Sequence, residues 1–121
     1  MTDAKQIADR YIALWNEPDP AVRRQLLARD WIDGASYADP MMAGRGINDI
    51  DALIAGVQKQ FPNFSFRLTG KPDGFGDNVR FSWSLGPGDY VDAPFEGTDF
   101  ARLENGRIAA VTGFLDRVPA M

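Results

Sequence analysis

The chain of 121 residues contains neither histidine nor cysteine. Histidine is the commonest general base near neutral pH, and cysteine supplies thiol nucleophiles and many ligands of transition metals. Their absence leaves acid/base chemistry to carboxylate, tyrosine and arginine side chains. The Asp and Glu residues also lack the spacing of a calcium-binding loop. The sequence therefore predicts no metal site and no cofactor.

Long apolar runs and dense basic segments are also missing. No stretch approaches the roughly 20 apolar residues that cross a bilayer, and residues 1–6 do not resemble a signal peptide. We therefore expect a cytoplasmic location and no membrane partner. The formal net charge of -4 argues against nucleic-acid binding, which relies on clustered Lys and Arg. The cluster of Arg23, Arg24 and Arg29 is typical of a solvated helix face.

The composition is that of an ordinary globular protein. Apolar residues make up 45% of the chain and charged residues 25%. The length fits one core, so a single domain over residues 1–121 is predicted.

Two helices are predicted near the start of the chain. Asp3 followed by Gln6 forms a capping box for a helix of roughly 13 residues that stops near Asn16. Asp19-Pro20 is an N-cap followed by a proline at the first helical position, and Gly34 is expected to end that second helix. The first helix carries one apolar stripe, formed by Ile7, Ala8, Tyr11, Leu14 and Trp15.

A short strand and a third helix are predicted next. Alternation favours a strand over residues 35–39, terminated by Pro40. The Gly44-Arg45-Gly46 segment lacks the ending of a phosphate-binding loop and indicates a turn. Asn48 or Asp49 is expected to cap the third helix, which Pro62 ends.

From Phe64 onward the hydrophobic period changes from 3.6 to 2. The alternation predicts strands over residues 64–69, 79–85, about 93–104 and 107–116, with turns at 72–77, 86–89 and 105–106. Helices followed by an antiparallel meander predict an α+β fold.

Asp99 is the most informative acidic residue. Strand alternation groups it with Gly97, Ala101 and Leu103, so its side chain is predicted to point inward. Desolvation penalises the charged form of a buried carboxyl, and such groups cluster at functional sites.

The order of several fragments resembles the SnoaL-like group of the nuclear-transport-factor-2-like superfamily. These fragments are Tyr11, Trp15-Asn16, Asp39-Pro40, Gly44-Arg45-Gly46, Phe61-Pro62, Arg80-Phe81-Ser82-Trp83, Gly97-Thr98-Asp99-Phe100 and Gly113-Phe114. The resemblance implies a cystatin-like cone of curved antiparallel sheet packed against N-terminal helices. It also implies a pocket for an apolar small-molecule ligand and a homodimer formed through the outer face of the sheet.

Within the superfamily, the closest parallel is to ketosteroid isomerase. The resemblance implies Asp39, in its Asp-Pro pair, as the catalytic base, with Tyr11 and Asp99 as oxyanion donors. Ligand-binding positions are expected at Trp15, Asn16, Tyr37, Phe61 and Trp83. Each assignment has a structural alternative: a turn-initiating Asp39, a hydrogen-bonded structural Asp99, a helix-capping Asn16, and core aromatics elsewhere.

The leading hypothesis is a cofactor-free isomerase or polyketide-cyclase-like enzyme acting on an apolar carbonyl compound. One alternative is a non-catalytic module: a ligand-binding one is favoured by tight binding of an apolar ligand without product, and a structural dimerisation domain is favoured if no cavity of roughly 300 Å³ or more is present. A second alternative is an epoxide-hydrolase-like hydrolase using Arg80 and Asp99. Ser82 stands where that family has a second carboxylate, which weakens it.

Overall fold

The computed structural model describes residues 3–119, which form three helices and six strands. The helices are α1 (Ala4–Asn16), α2 (Pro20–Asp30) and α3 (Ile47–Gln60). The strands are β1 (Trp31–Ala38), β2 (Ala43–Arg45), β3 (Phe64–Phe75), β4 (Asn78–Pro87), β5 (Phe95–Glu104) and β6 (Arg107–Arg117). Among these residues no helix is long and apolar enough to cross a membrane.

The six strands form one curved, unclosed sheet in the order β2-β1-β6-β5-β4-β3. Strands β3 to β6 form the predicted antiparallel meander. Strand β1 adds a feature outside that expectation, because it runs parallel to β6. The α+β cone is confirmed, with a mixed sheet rather than a purely antiparallel one.

The capping residues at the start of α1 and α2 act as predicted. The Asp3 carboxylate accepts a hydrogen bond from the backbone N–H of Gln6 at 3.0 Å. The Asp19 carboxylate accepts one from the N–H of Ala21 at 2.9 Å, with Pro20 at the first helical position. Each cap satisfies one of the amide groups that a helix start leaves without an internal partner.

The predicted end of α2 at Gly34 is wrong. The helix ends at Asp30, and Trp31 is already extended, with φ -121° and ψ 150°. Trp31 lies opposite Ile108 of β6, so sheet pairing takes over from the helix without a loop. Gly34 is part of β1.

The segment before α3 also differs from the expectation. Residues 43–45 are not a turn, since they pair antiparallel with residues 36–38. The N-cap of α3 is Gly46, at φ 87°, rather than Asn48 or Asp49. Asp49 lies in the first helical turn, where it accepts a hydrogen bond from the N–H of Arg45 at 3.2 Å.

The loop predicted at residues 72–77 is mostly strand. Strand β3 continues to Phe75, with a shift of register between Thr69 and Asp73, and Gly76-Asp77 makes the turn. The irregular register breaks the alternation that would otherwise have indicated strand.

Arg23 is not solvated, contrary to the interpretation of the basic cluster. It is buried on α2 and its Nε donates to the Asp51 carboxylate of α3 at 2.8 Å. A buried guanidinium is tolerated because its donors find partners. The predicted α1 stripe faces the core, where Ala8, Tyr11, Leu14 and Trp15 are buried.

Candidate functional site

A cavity of about 160 Å³ lies between α1, the end of α3 and the inner face of the sheet. Its wall is largely apolar and contains two carboxyl groups, Asp39 and Asp99. Its aromatic wall is formed by Tyr11, Trp15, Tyr37, Phe61, Phe66, Trp83 and Phe95. An apolar cavity with a few convergent polar groups is the usual form of a small-molecule site.

Asp99 is only 2% exposed and points into this cavity. The Tyr11 hydroxyl donates to its Oδ2 at 2.6 Å. Its Oδ1 is buried and has no hydrogen-bond partner among residues 3–119. Burial raises the pKa of Asp99 to about 6, although the Tyr11 hydroxyl and the neighbouring Trp83 indole oppose the change. The predicted inward orientation of this residue is confirmed.

Asp39 follows β1 and is half-buried. The Tyr37 hydroxyl donates to its Oδ2 at 2.6 Å. Its Oδ1 accepts hydrogen bonds from the backbone N–H groups of Met41 at 2.7 Å and Met42 at 3.0 Å. The carboxyl thus closes the turn after Pro40 and also lines the cavity.

Gly113 of β6 lies next to the side chains of both Asp39 and Asp99. It lies opposite Asp99 in the β5–β6 ladder. A Cβ atom at this position would lie 2.8 Å from Oδ1 of Asp99 and 3.2 Å from Cβ of Asp39. Only glycine fits between them without displacing one. The charge of Asp39 is a smaller cause of the raised pKa of Asp99.

Both cavity tyrosines remain protonated. Burial is the main cause that raises the pKa of Tyr11 and of Tyr37 well above the usual range, and the charge of Asp99 adds to it. Both therefore serve as hydrogen-bond donors rather than as bases.

The structure brings most of the predicted site residues together. Those that line the cavity are Tyr11, Trp15, Tyr37, Asp39, Phe61, Trp83 and Asp99. Asn16 does not join them, because its exposed amide pairs with the backbone of Phe66 in both directions, at 2.8 and 2.9 Å. Asn16 links the end of α1 to β3.

Several lining residues were not singled out from the sequence. Met41 and Met42 enter the wall because Asp39 folds their backbone toward it. Phe66 was visible as an apolar position in strand alternation, but nothing in that pattern distinguishes a pocket residue from a core residue.

Arg80 lies outside the cavity wall. Its guanidinium is exposed and pairs with the exposed Asp73 at 3.4 Å. An epoxide-hydrolase-like mechanism would need that arginine beside Asp99, so the geometry disfavours this alternative.

A match to the SnoaL-like domain family covers residues 8–111. The chain belongs to this family. A comparison with curated proteins gives no match.

Solved structures of SnoaL-like proteins share the fold. A provisionally assigned SnoaL-like isomerase from Agrobacterium tumefaciens is 44% identical, with a TM-score of 0.90 over 96% of this chain and 99% of the other. A provisionally assigned ketosteroid isomerase from Kribbella flavida is 17% identical, with a TM-score of 0.71 over 98% and 81%. A provisionally assigned SnoaL-like polyketide cyclase from Jannaschia is 20% identical, with a TM-score of 0.69 over 96% and 92%.

Proposed function

We propose that this SnoaL-like domain is a cofactor-free enzyme that moves a proton beside the carbonyl group of a small apolar compound. The observation that carries the proposal is the pair of unlike carboxyl groups flanking Gly113 on an apolar cavity. Asp39 accepts hydrogen bonds at both oxygens, whereas Asp99 is almost fully buried and has a raised pKa. Two carboxyl groups in such different environments can take different roles, one as a base and the other as a proton donor.

Asp39 is the proposed base. Its carboxylate removes a proton from the carbon next to the carbonyl, and the electron pair of the C–H bond moves onto the carbonyl oxygen as an enolate. The protonated Asp39 then returns the proton to another carbon, which completes an isomerisation. In a cyclase the enolate carbon instead bonds to the carbon of a second carbonyl group, whose π electrons move onto its oxygen, and that oxygen takes the proton held by Asp39.

Asp99 is the proposed donor to the enolate oxygen. In its neutral form it carries a proton that it can donate to the enolate oxygen, while Oδ2 accepts from Tyr11. A donor fixed before the reaction stabilises the developing negative charge at little reorganisation cost. Because the Tyr11 hydroxyl proton is directed at Asp99, Tyr11 acts mainly by holding and polarising that acid.

The cavity volume sets the substrate size. A dry cavity of about 150 Å³ in another protein holds one benzene molecule. The volume of about 160 Å³ therefore suits a substrate of one ring or an equivalent short chain.

Isomerisation of cyclohex-3-enone to its conjugated isomer, followed by ultraviolet absorbance, tests this proposal. We expect Asp39→Asn to reduce kcat/KM by about 100-fold or more, because it removes the base. Asp92→Asn, at an exposed loop position, is the matched control and should retain the wild-type rate. The wild-type rate should fall as the pH rises through about 6, because Asp99 then loses its donor proton. An unchanged rate in Asp39→Asn removes that residue from the mechanism.

A non-catalytic binding or dimerisation module is the second candidate. The cavity is smaller than the roughly 300 Å³ typical of ligand pockets, which favours a partly filled cone. Asp39 also accepts three hydrogen bonds from the protein itself, which leaves about one of its lone-pair sites free. Saturable binding of cyclohexenone without conversion over a long incubation would support this candidate.

A further inference from the structure

The two oxygens of the Asp39 carboxyl have different numbers of hydrogen-bond donors. Oδ1 accepts from the backbone N–H groups of Met41 at 2.7 Å and Met42 at 3.0 Å. Among residues 3–119, Oδ2 accepts only from the Tyr37 hydroxyl, at 2.6 Å. Each carboxylate oxygen has two lone pairs, so Oδ1 is fully occupied and Oδ2 keeps one lone pair for a further partner.

The turn after β1 fixes the side of the carboxyl that bears Oδ1. The backbone N–H of Asp39 donates to the carbonyl of Met42 at 2.9 Å, so the same turn holds both the main chain and Oδ1. Accepting hydrogen bonds from backbone N–H groups a few residues ahead is a common structural role of aspartate in turns. Oδ1 therefore serves the turn, and Oδ2 is the oxygen with a lone pair available for chemistry.

Tyr37, the donor to Oδ2, is itself firmly held. Strand β1 lies between β2 and β6, and Tyr37 lies opposite Gly44 on one side and Val111 on the other. The side chain is 5% exposed, and its ring centroid lies 5.5 Å from that of Trp15. Tyr37 and Asp39 are two residues apart, so in extended chain their side chains emerge on the same face. The hydroxyl is thus a fixed donor beside the acid.

The Tyr37 hydroxyl has no second proton to offer a ligand. A tyrosine carries one O–H donor, and here that proton is directed at Asp39. Burial raises the pKa of Tyr37 well above its usual range, so the proton stays on the hydroxyl. Tyr37 lines the cavity, but its donor is used on the acid rather than on a bound molecule.

We infer that Oδ2 of Asp39 is the atom that removes the proton from the substrate, and that Tyr37 is the positioning residue that holds this oxygen in place. The inference deepens the proposed function and rests on it. The free lone pair of Oδ2 takes the proton from the carbon, and the electron pair of the C–H bond moves onto the carbonyl oxygen. The Tyr37 proton stays on its own oxygen throughout. A base that is oriented before the reaction avoids the entropic cost of orienting it during the reaction.

The test combines Tyr37→Phe with Asp39→Asn in the cyclohex-3-enone assay. Tyr37→Phe retains the ring and removes the O–H. We expect kcat to fall about tenfold with KM little changed, because the substrate still binds but the base is no longer held in its reactive orientation. In the Asp39→Asn background the same change should not lower the residual kcat further, because Tyr37 acts only through that carboxylate. Tyr90→Phe is the matched control and should retain the wild-type kcat, since the Tyr90 hydroxyl pairs with Ser84 at 2.8 Å outside the cavity wall.

Two further replacements cover the case in which Tyr37→Phe does not fold. Tyr37→4-fluorophenylalanine fills the space of the hydroxyl with an atom that cannot donate a hydrogen bond, and the same loss of kcat is expected. Tyr37→4-aminophenylalanine restores an N–H donor and should be faster than the fluorinated variant. A role that depended on filling space alone would give both variants the wild-type kcat.

The outcomes separate this inference from the proposed function. If Asp39→Asn is slow but the Tyr37 variants without a donor keep the wild-type kcat, the inference is overturned and the proposed function stands. A raised KM at unchanged kcat overturns the inference too, because Tyr37 then contacts the substrate. So does an equal loss of kcat from Tyr37→Phe with and without Asp39, because the tyrosine then acts independently of the acid. An unchanged rate in Asp39→Asn, or no isomerisation by the wild type, removes the proposed function and the inference together.

Discussion

Burial and hydrogen bonding act on the Asp99 carboxyl in opposite directions. Burial raises its pKa from 3.8 to about 6, and the bond from Tyr11 limits the rise. The neutral acid is therefore favoured by folding, because the unfolded chain ionises this group at lower pH than the folded protein does. This coupling links the proposed catalytic role to a measurable stability.

The contribution of Asp99 to the free energy of unfolding should decrease as the pH rises from about 3.5 to about 7. In this range the folded protein binds more protons at Asp99 than the unfolded chain does, so ionisation favours unfolding. A rise in pKa of this size corresponds to about 3 kcal/mol. Asp99→Asn should lack this contribution, so its stability relative to wild type should increase by up to that amount over the same range. Urea unfolding of both proteins at each pH provides the comparison.

Tyr11→Phe serves as the control for this prediction. It removes the hydrogen bond that opposes the effect of burial, so the pKa of Asp99 should rise further. The decrease in stability should then extend to higher pH. A difference between wild type and Asp99→Asn that stays constant with pH would contradict the assignment.

The inward orientation of Asp99 could be predicted because strand alternation depends only on neighbours in sequence. The approach of Asp39 to Asp99 could not, because it depends on which strands pair and in which register. Gly113 appeared in a recognised fragment, but its spacing role becomes visible only once it lies opposite Asp99. The Asp39–Tyr37 bond likewise depends on the turn after β1.

At the scale of elements, one buried arginine ties the helices together. Arg23 of α2 donates to Asp51 of α3 and also to the backbone carbonyls of Glu17 and Pro18, at 3.2 and 3.1 Å. Gln58 of α3 donates to the same Glu17 carbonyl at 2.9 Å. These contacts fix the end of α1 against α3, and both elements supply cavity residues.

Asp51→Ala should destabilise the protein by about 3 kcal/mol, because it leaves the buried Arg23 guanidinium without its ionic partner. Asp9→Ala is the matched control, since it breaks the exposed Lys5–Asp9 pair. That change should cost less than about 1 kcal/mol. Chemical denaturation of both variants checks the difference, and equal losses would refute the structural role of the Arg23–Asp51 pair.

Element types were predictable where the local signal was complete. Asp3 and Asp19 identified the helix starts, and period-2 alternation identified β4, β5 and β6. Strand β2 was missed because its three residues are too few for a periodic pattern and become strand only by pairing with β1. The burial of Arg23 was missed for a related reason, since its partner lies on another helix.

At the scale of the whole molecule, the homodimer and the cytoplasmic location remain predictions. The outer face of the sheet carries Phe114 and Phe100, which are 56% and 40% exposed on neighbouring strands. Apolar side chains grouped on an exposed face are typical of association surfaces. A two-fold contact through β5 and β6 would bury both phenylalanines.

Light scattering should give twice the chain mass for the wild type and a single chain mass for Phe114→Lys. A charge inside an apolar interface would be costly to bury, whereas it is harmless on a free surface. Phe75→Lys is the control, because Phe75 is exposed beside the β3–β4 turn. It should leave the mass unchanged. A monomeric wild type would refute the proposed dimer.

The parallel pairing of β1 with β6 also sets an order of events during synthesis. Asp39 is translated early, yet β1, which precedes it, pairs with β6, the last of the six strands in chain order. The two acids therefore cannot meet around Gly113 until that glycine has left the ribosome. A nascent chain halted before Arg107 would have made both acids but could not bring them together in the native arrangement.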